Sequence, residues 1–259
     1  SHSDEIDYLL SRVDYYNKLT PDTLINKELW VSGTNRLKNQ TMTNQKTYYF
    51  DAMEIARYFD QDYRWHLFSG DIIHVPDIPT IVKSRPINEN NQNSIILKLD
   101  KVRHFMFVND KISWRDKGDV AIFRGDLGES KQNRDLFMEK FAMDKSKMVD
   151  AGSTNLYTEH IEWHKEKLTI NEHLKYKFIM SLEGNDVASN LKWVMASNSS
   201  AVRPRLTQET WFMEGKLIPN YHYIEVKEDF SNLEEKLAYY IEHPKEAEAI
   251  IQHAHEWVE

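Results

Sequence analysis

The chain of 259 residues contains no cysteine. Disulfides, thiol catalysis and cysteine-ligated zinc or iron–sulfur centres are thereby excluded. The absence fits a reducing compartment. No apolar run approaches the ~18–20 residues that span a bilayer. The first residues, Ser1-His2-Ser3-Asp4, lack the basic and apolar regions of a signal peptide and read as the remnant of an expression tag. Positive charge is also short: 33 Lys+Arg against 41 Asp+Glu leave a formal charge of −8. A protein held to nucleic acid by its overall field is therefore not expected. There is no internal repeat and no low-complexity tract.

What is present suffices for a globular protein. Hydrophobic residues make up 41% and aromatics 12%. A chain this long buries about 70–75% of its unfolded surface, as one large domain or two ordinary ones. The first ~70 residues read as helical, with Ile6, Leu9, Leu10 and Val13 at helical spacing and Met53, Ile55, Ala56 and Phe59 less regular. Ile72-Ile73-His74-Val75 and Thr80-Ile81-Val82 read as short strands near Pro76 and Pro79, and the polar run 88–93 as an exposed loop.

From about residue 119 strands and helices alternate. Strands are expected at 120–123, 148–150, 176–182, 201–202 and 221–226. Helices are expected at 133–141, 156–167 and 186–196. Two more should follow the Ser231-Asn232-Leu233-Glu234 cap, divided at Pro244. Such alternation argues for a parallel sheet covered on both faces, with its ligand off the carboxyl ends of the strands.

Two strand-to-helix turns carry the chemistry. In Phe123-Arg124-Gly125-Asp126-Leu127-Gly128-Glu129-Ser130, glycines let backbone N–H groups approach an anion and Arg124 can bind phosphate bidentately. The alternative is a tight turn whose arginine pairs with Asp126 or Glu129. In Glu183-Gly184-Asn185-Asp186-Val187-Ala188-Ser189-Asn190-Leu191-Lys192, Ser189 and Lys192 would share a helix face near its positive end. They suit a diphosphate there, with Glu183 on ribose hydroxyls, or else the turn is a capped helix with a solvated lysine. Other candidates read as ordinary surface. Asp60-Gln61-Asp62 has the Asp-x-Asp form that holds Mn²⁺ in one class of transferases, yet it follows a helix. His160 and His164 sit one helical turn apart without a third ligand, and His253 and His255 point to different sides of a terminal helix.

Those turns, with their surroundings, resemble glycosyltransferase family 90. Lys175-Tyr176-Lys177-Phe178 through Glu183-Gly184-Asn185-Asp186 to Asn190-Leu191-Lys192-Trp193 carries the resemblance, in the wording of the bacterial lipopolysaccharide members. Trp211, Leu217-Ile218-Pro219 with His222-Tyr223, and Asp229-Phe230-Ser231-Asn232-Leu233 follow in order, while Phe123-Arg124-Gly125 with Arg134 and Val149-Asp150-Ala151 precede. It covers residues 119–258. It implies a GT-B-like α/β fold, with a smaller N-terminal α/β domain (1–118, acceptor side) and a C-terminal Rossmann-like donor domain (119–259). It also implies an inverting transfer from a nucleotide-sugar, presumed UDP-linked, to lipopolysaccharide, lipooligosaccharide or a related surface glycan. That donor is a substrate, and no resident cofactor or metal is expected.

By that resemblance the donor contacts Arg124, Gly125, Arg134, Asp150, Glu183, Asn185, Ser189, Asn190 and Lys192. Two departures stand out. Eukaryotic relatives carry a phosphate-binding arginine where this chain has Ala188-Ser189-Asn190-Leu191-Lys192, so Lys192 or Arg124 must compensate. Their catalytic aspartate lies in an Arg-Asp-Tyr-Pro stretch, matched here only by Ser84-Arg85-Pro86-Ile87. A base must still reach the acceptor hydroxyl, and Asp77 and Asp126 are the candidates. The rival readings are a non-catalytic nucleotide- or carbohydrate-binding protein on the same fold, and a metal-dependent transferase using Asp60 and Asp62. The expected location is cytoplasmic, with a peripheral contact at the inner membrane carried by a local patch.

Overall fold

The computed structural model describes residues 2–128, 132–143, 147–156 and 160–259. The chain forms two compact units, Met106–Arg205 with Lys216–Glu259, and Ser1–Phe105 with Leu206–Gly215. The boundary read from the sequence lay at 118/119 and treated both parts as contiguous.

The larger unit is built on five parallel strands: β1 (Gly118–Gly125), β2 (Val149–Ser153), β3 (Tyr176–Met180), β4 (Ser200–Arg203) and β5 (Ile224–Glu225). Across the sheet they run β2-β1-β3-β4-β5. The interior of β1 and nearly all of β3 are buried, the pattern of strands covered on both faces. Helices α1 (Gln132–Phe141), α2 (Ile170–His173), α3 (Leu191–Met195), α4 (Leu233–Glu242) and α5 (Pro244–Val258) cover the sheet. Phe137 of α1 anchors the core, edge-on to Phe123 at 5.3 Å and to Phe230 at 5.1 Å. In α5, Pro244 occupies the first turn, and Ala247, Ile250, Ile251 and Ala254 form a buried stripe at helical spacing.

Three expectations need correction. The helix expected at 186–196 is a single turn, α3, because 183–190 form bends and turns. No helix forms among the described residues of 156–167; Ile161–Trp163 is one 3₁₀ turn, so His160 and His164 do not share a helix face. The last strand is two residues long rather than six.

The smaller unit holds the helices His2–Tyr16, Lys27–Gly33 and Lys46–Ala56. Thr80–Val82 pairs in parallel with Ser94–Ile96, and Ser84–Pro86 pairs antiparallel with Gln208–Thr210. That second pairing explains why 206–215 belong here. Residues 72–75 are irregular, not a strand, and within the 88–93 loop Asn91 is buried, bonded to Pro86 O and Lys18 Nζ. Arg85 is fully buried. Its Nε donates to Glu209 at 2.8 Å, while Nη1 and Nη2 donate to the Tyr16 and Tyr15 carbonyls at 3.3 and 2.7 Å. The Ser84-Arg85-Pro86 stretch is thus a structural cation closing the carboxyl end of the first helix.

Candidate active site

In the order β2-β1-β3-β4-β5 the chain reverses direction across the sheet between β1 and β3. Open α/β sheets bind ligands at that switch point, outside the carboxyl ends of the strands. A cavity of about 310 Å³ lies there. Its walls come from Phe123, Arg124, Gly125 and Asp126 at the end of β1, Met180 and Leu182 after β3, Arg134 on α1, and Ser189, Asn190 and Trp193 around the start of α3. Thr154, Lys167, Leu168 and His173 complete it.

Arg124 does not pair with Asp126, as one reading of the turn allowed; Glu129 and Ser130 lie outside the described residues. Its Nη1 donates to the Phe123 and Asp150 carbonyls at 2.8 and 3.0 Å, and Nη2 to the Asp150 carboxylate at 3.0 Å. The other Asp150 oxygen accepts from Lys165 Nζ at 2.7 Å. Burial raises the Asp150 carboxyl, but Arg124 and Lys165 outweigh it and hold it below the ordinary carboxylate range. Asp150 therefore orients Arg124 and does not line the cavity. Arg124 Nε is buried and has no partner among the described residues. Such an orphaned buried donor is costly.

Arg134 is a clamp. Nη1 donates to both the carbonyl and the carboxylate of Asp126 at 3.0 Å, and Nε and Nη2 reach the Leu182 carbonyl at 3.4 and 3.2 Å. It ties the end of β1 to the end of β3 across the switch point. Gly184 makes room for it: a Cβ there would lie 2.8 Å from Arg134 Nη2. Gly125 answers to packing, since its Cβ would lie 2.8 Å from the Phe123 ring. Asn190 Nδ2 donates to Met180 O at 3.1 Å, fastening the start of α3 to the end of β3.

The structure thus gathers Arg124, Gly125, Asp126, Arg134, Ser189 and Asn190 around one cavity. It does not gather the rest. Glu183 accepts from the buried Arg203 at 3.0 Å, and neither it nor Asn185 is in the lining. Lys192 is buried outside the lining, and Ser189 precedes α3, so the two share no helix face. Asp77 is exposed in the smaller unit. Asp60 and Asp62 are exposed, with Asp62 paired to Arg36 and Lys38, and Asp60 accepts from the Asp62 N–H. Among the described residues no three His, Asp or Glu side chains converge as metal ligands.

The family profile "Glycosyl transferase family 90" matches residues 93–259. The chain is also 37% identical over 248 residues to a Dichelobacter nodosus protein described as O-glucosyltransferase LpsA, covering 96% of this chain and 75% of that one. The chain belongs to glycosyltransferase family 90. It is an enzyme of glycosyl transfer, and the non-catalytic alternative falls away. The family match includes the whole switch-point cavity.

Sequence reading missed His173, Trp193, Thr154 and Lys167 in the wall. His173 is the most informative. Its Nδ1 lies 2.8 Å from the Thr169 carbonyl, and its ring stands edge-on to Trp193 at 5.8 Å. Burial, with Arg124 adding to it, lowers its pKa from the ordinary value, against the opposing Thr169 carbonyl and Glu172. Thr169-x-x-Glu172, the capping box that builds α2, was the readable signal.

Proposed function

We propose that the protein is an inverting transferase that binds a UDP-sugar in the switch-point cavity and passes the sugar to a hydroxyl of lipopolysaccharide, lipooligosaccharide or a related surface glycan. The observation that carries this reading is the gathering of Arg124, fixed by Asp150, with Arg134, Ser189 and Asn190 on the walls of the switch-point cavity. Guanidinium groups gathered at that place suit a diphosphate. Ser189 and Asn190 in the same lining supply neutral polar groups for the same ligand. The relative's description as an O-glucosyltransferase favours glucose as the sugar and oxygen as the acceptor atom.

On this reading the fold is GT-B-like, with the donor on the larger unit. The reaction is a direct displacement: a carboxylate takes the acceptor's proton while fixed cations and N–H groups stabilise the departing diphosphate. Asp126 is the carboxylate in the cavity lining and the first candidate for the base; Asp77 is the second. No metal is assigned a step. The enzyme works in the cytoplasm, at the inner membrane surface where a lipid-linked acceptor would be met. Among the described residues no helix is long and apolar enough to cross a membrane.

Calorimetric titration with UDP, GDP, CMP and their sugar conjugates, with and without EDTA, tests the donor. Binding of a UDP-sugar that survives EDTA and is lost in Arg124→Ala supports the assignment. Binding unaffected by that substitution, or selective for another nucleotide, overturns it.

A further inference from the structure

We infer that His173 takes up a proton when a sugar nucleotide's diphosphate enters the cavity and then holds one of its oxygens through Nε2–H, an inference that rests on the donor assignment above. The geometry is specific. His173 shares the lining with Arg124, Ser189 and Asn190, the residues assigned to the diphosphate. The Thr169 carbonyl only accepts, so His173 Nδ1 keeps its hydrogen and Nε2 is the nitrogen whose state changes. Thr169 is itself fixed by the reciprocal bonds of its capping box with Glu172, and the Trp193 ring stands against the imidazole. The ring is therefore held in place before any ligand arrives.

In the empty cavity the surroundings favour the neutral ring. Burial and the Arg124 charge disfavour a second cation, and Arg134 and Lys167 add positive charge to the same walls. Asp126 on β1 and Glu172 on the histidine's own helix are the opposing carboxylates. A diphosphate brings two negative charges into this enclosure and reverses the balance. As the sugar is transferred, the bond from the anomeric carbon to the phosphate oxygen breaks and its electron pair stays on that oxygen. The acceptor oxygen bonds to the carbon, and its proton goes to the base carboxylate. The diphosphate then carries one more negative charge than before, so an imidazolium donating to it interacts more strongly with product and transition state than with substrate. The histidine proton is returned to solvent when the nucleotide departs.

The test uses the whole chain and UDP-glucose, whose diphosphate has no group of its own titrating between pH 5 and 8. Histidine resonances are followed against pH by NMR, with His173 assigned from His173→Gln and, should that variant misfold, from His173→Asn. Calorimetry in buffers of differing ionisation enthalpy counts protons taken up by the unsubstituted protein. The expected result is a His173 midpoint that rises by at least one pH unit on binding, with an uptake of about half a proton or more at its peak between the free and bound midpoints. Affinity should fall several-fold between pH 6 and 8 in the wild type and stay flat in the variant. UDP-glucose that binds with no proton uptake and an unmoved His173 midpoint overturns the inference and leaves the donor site standing. UDP-glucose that does not bind removes both.

Discussion

At the scale of single residues, Arg124 is the side chain on which the donor assignment turns. Arg124→Lys retains the charge but loses the planar fork, and should weaken UDP binding by about 10–100-fold in calorimetry, the worth of a charge-assisted hydrogen bond. The two base candidates separate in turnover assays. Asp126→Asn should lower kcat by about 10²–10⁴-fold, the usual yield of general-base catalysis, while Asp77→Asn leaves it within a few-fold. Equal loss in both, or loss only with Asp77, would move the base to the smaller unit. A third residue reports on pH. Burial raises the Asp71 carboxyl, but Lys83 and Arg103 outweigh it and hold it well below its unfolded value of 3.8. Its stabilisation is therefore present at neutral pH and is lost as the pH falls below about 4. Asp71→Asn should cost about 2 kcal/mol at pH 7 in denaturant melts, and the difference should narrow steadily as the pH falls below about 4. Arg124, Gly125, Ser189 and Asn190 were legible because strand-to-helix turns announce themselves in apolar runs followed by polar, glycine-bearing ones. That the Asp150 carboxylate is taken up by Arg124 and Lys165 was not legible, because those partners come from elsewhere in the chain. His173 was missed because it lies ahead of β3 on a helix of four residues, where the Thr169-x-x-Glu172 capping box is the sequence signal.

Among the elements, parallel strands buried on both faces were read from continuous apolar runs, and the interiors of β1 and β3 fall within the expected stretches. Periodicity failed around α3. Residues 186–190 include Asp186, Val187, Ser189 and Asn190, all weak helix formers, Asn190 donates its amide to the end of β3, and helix begins only at Leu191. The turn between β3 and α3 is set by the Arg134 clamp, which gives a prediction at this scale. Gly184→Ala places a methyl group against Arg134 Nη2. It should displace the guanidinium from Leu182 O and weaken UDP binding without touching a proposed phosphate contact. A crystal structure of the variant would show the arginine moved, and unchanged geometry would refute the clamp. The α4–α5 pair was legible from the start, since Pro244 and the Ala247, Ile250, Ile251, Ala254 stripe are local signals.

For the molecule as a whole, the division into units could not be read linearly. Gln208–Thr210, taken from sequence as part of the donor domain, pairs with Ser84–Pro86, and Glu209 neutralises the buried Arg85. A fragment ending at residue 118 would keep Arg85 and lose its carboxylate. Leaving such a cation buried and unpaired costs about 3–5 kcal/mol. Glu209→Gln in the full chain should lower the melting of the smaller unit by several degrees, and fragment 1–118 should show no cooperative transition by circular dichroism. A sharp transition in the fragment would show that the network is dispensable. The same arrangement has a consequence for the protein's synthesis. The smaller unit starts at the amino end, but its closing strand is made only after residue 205, and 215 − 105 leaves 110 residues to be translated after Phe105. At ~5–20 residues per second, the nascent chain spends about 5–20 s outside the ribosome with its first unit open. Through that interval the partly built unit is a natural client for chaperones, and the larger unit, which needs residues 216–259, is completed only after it.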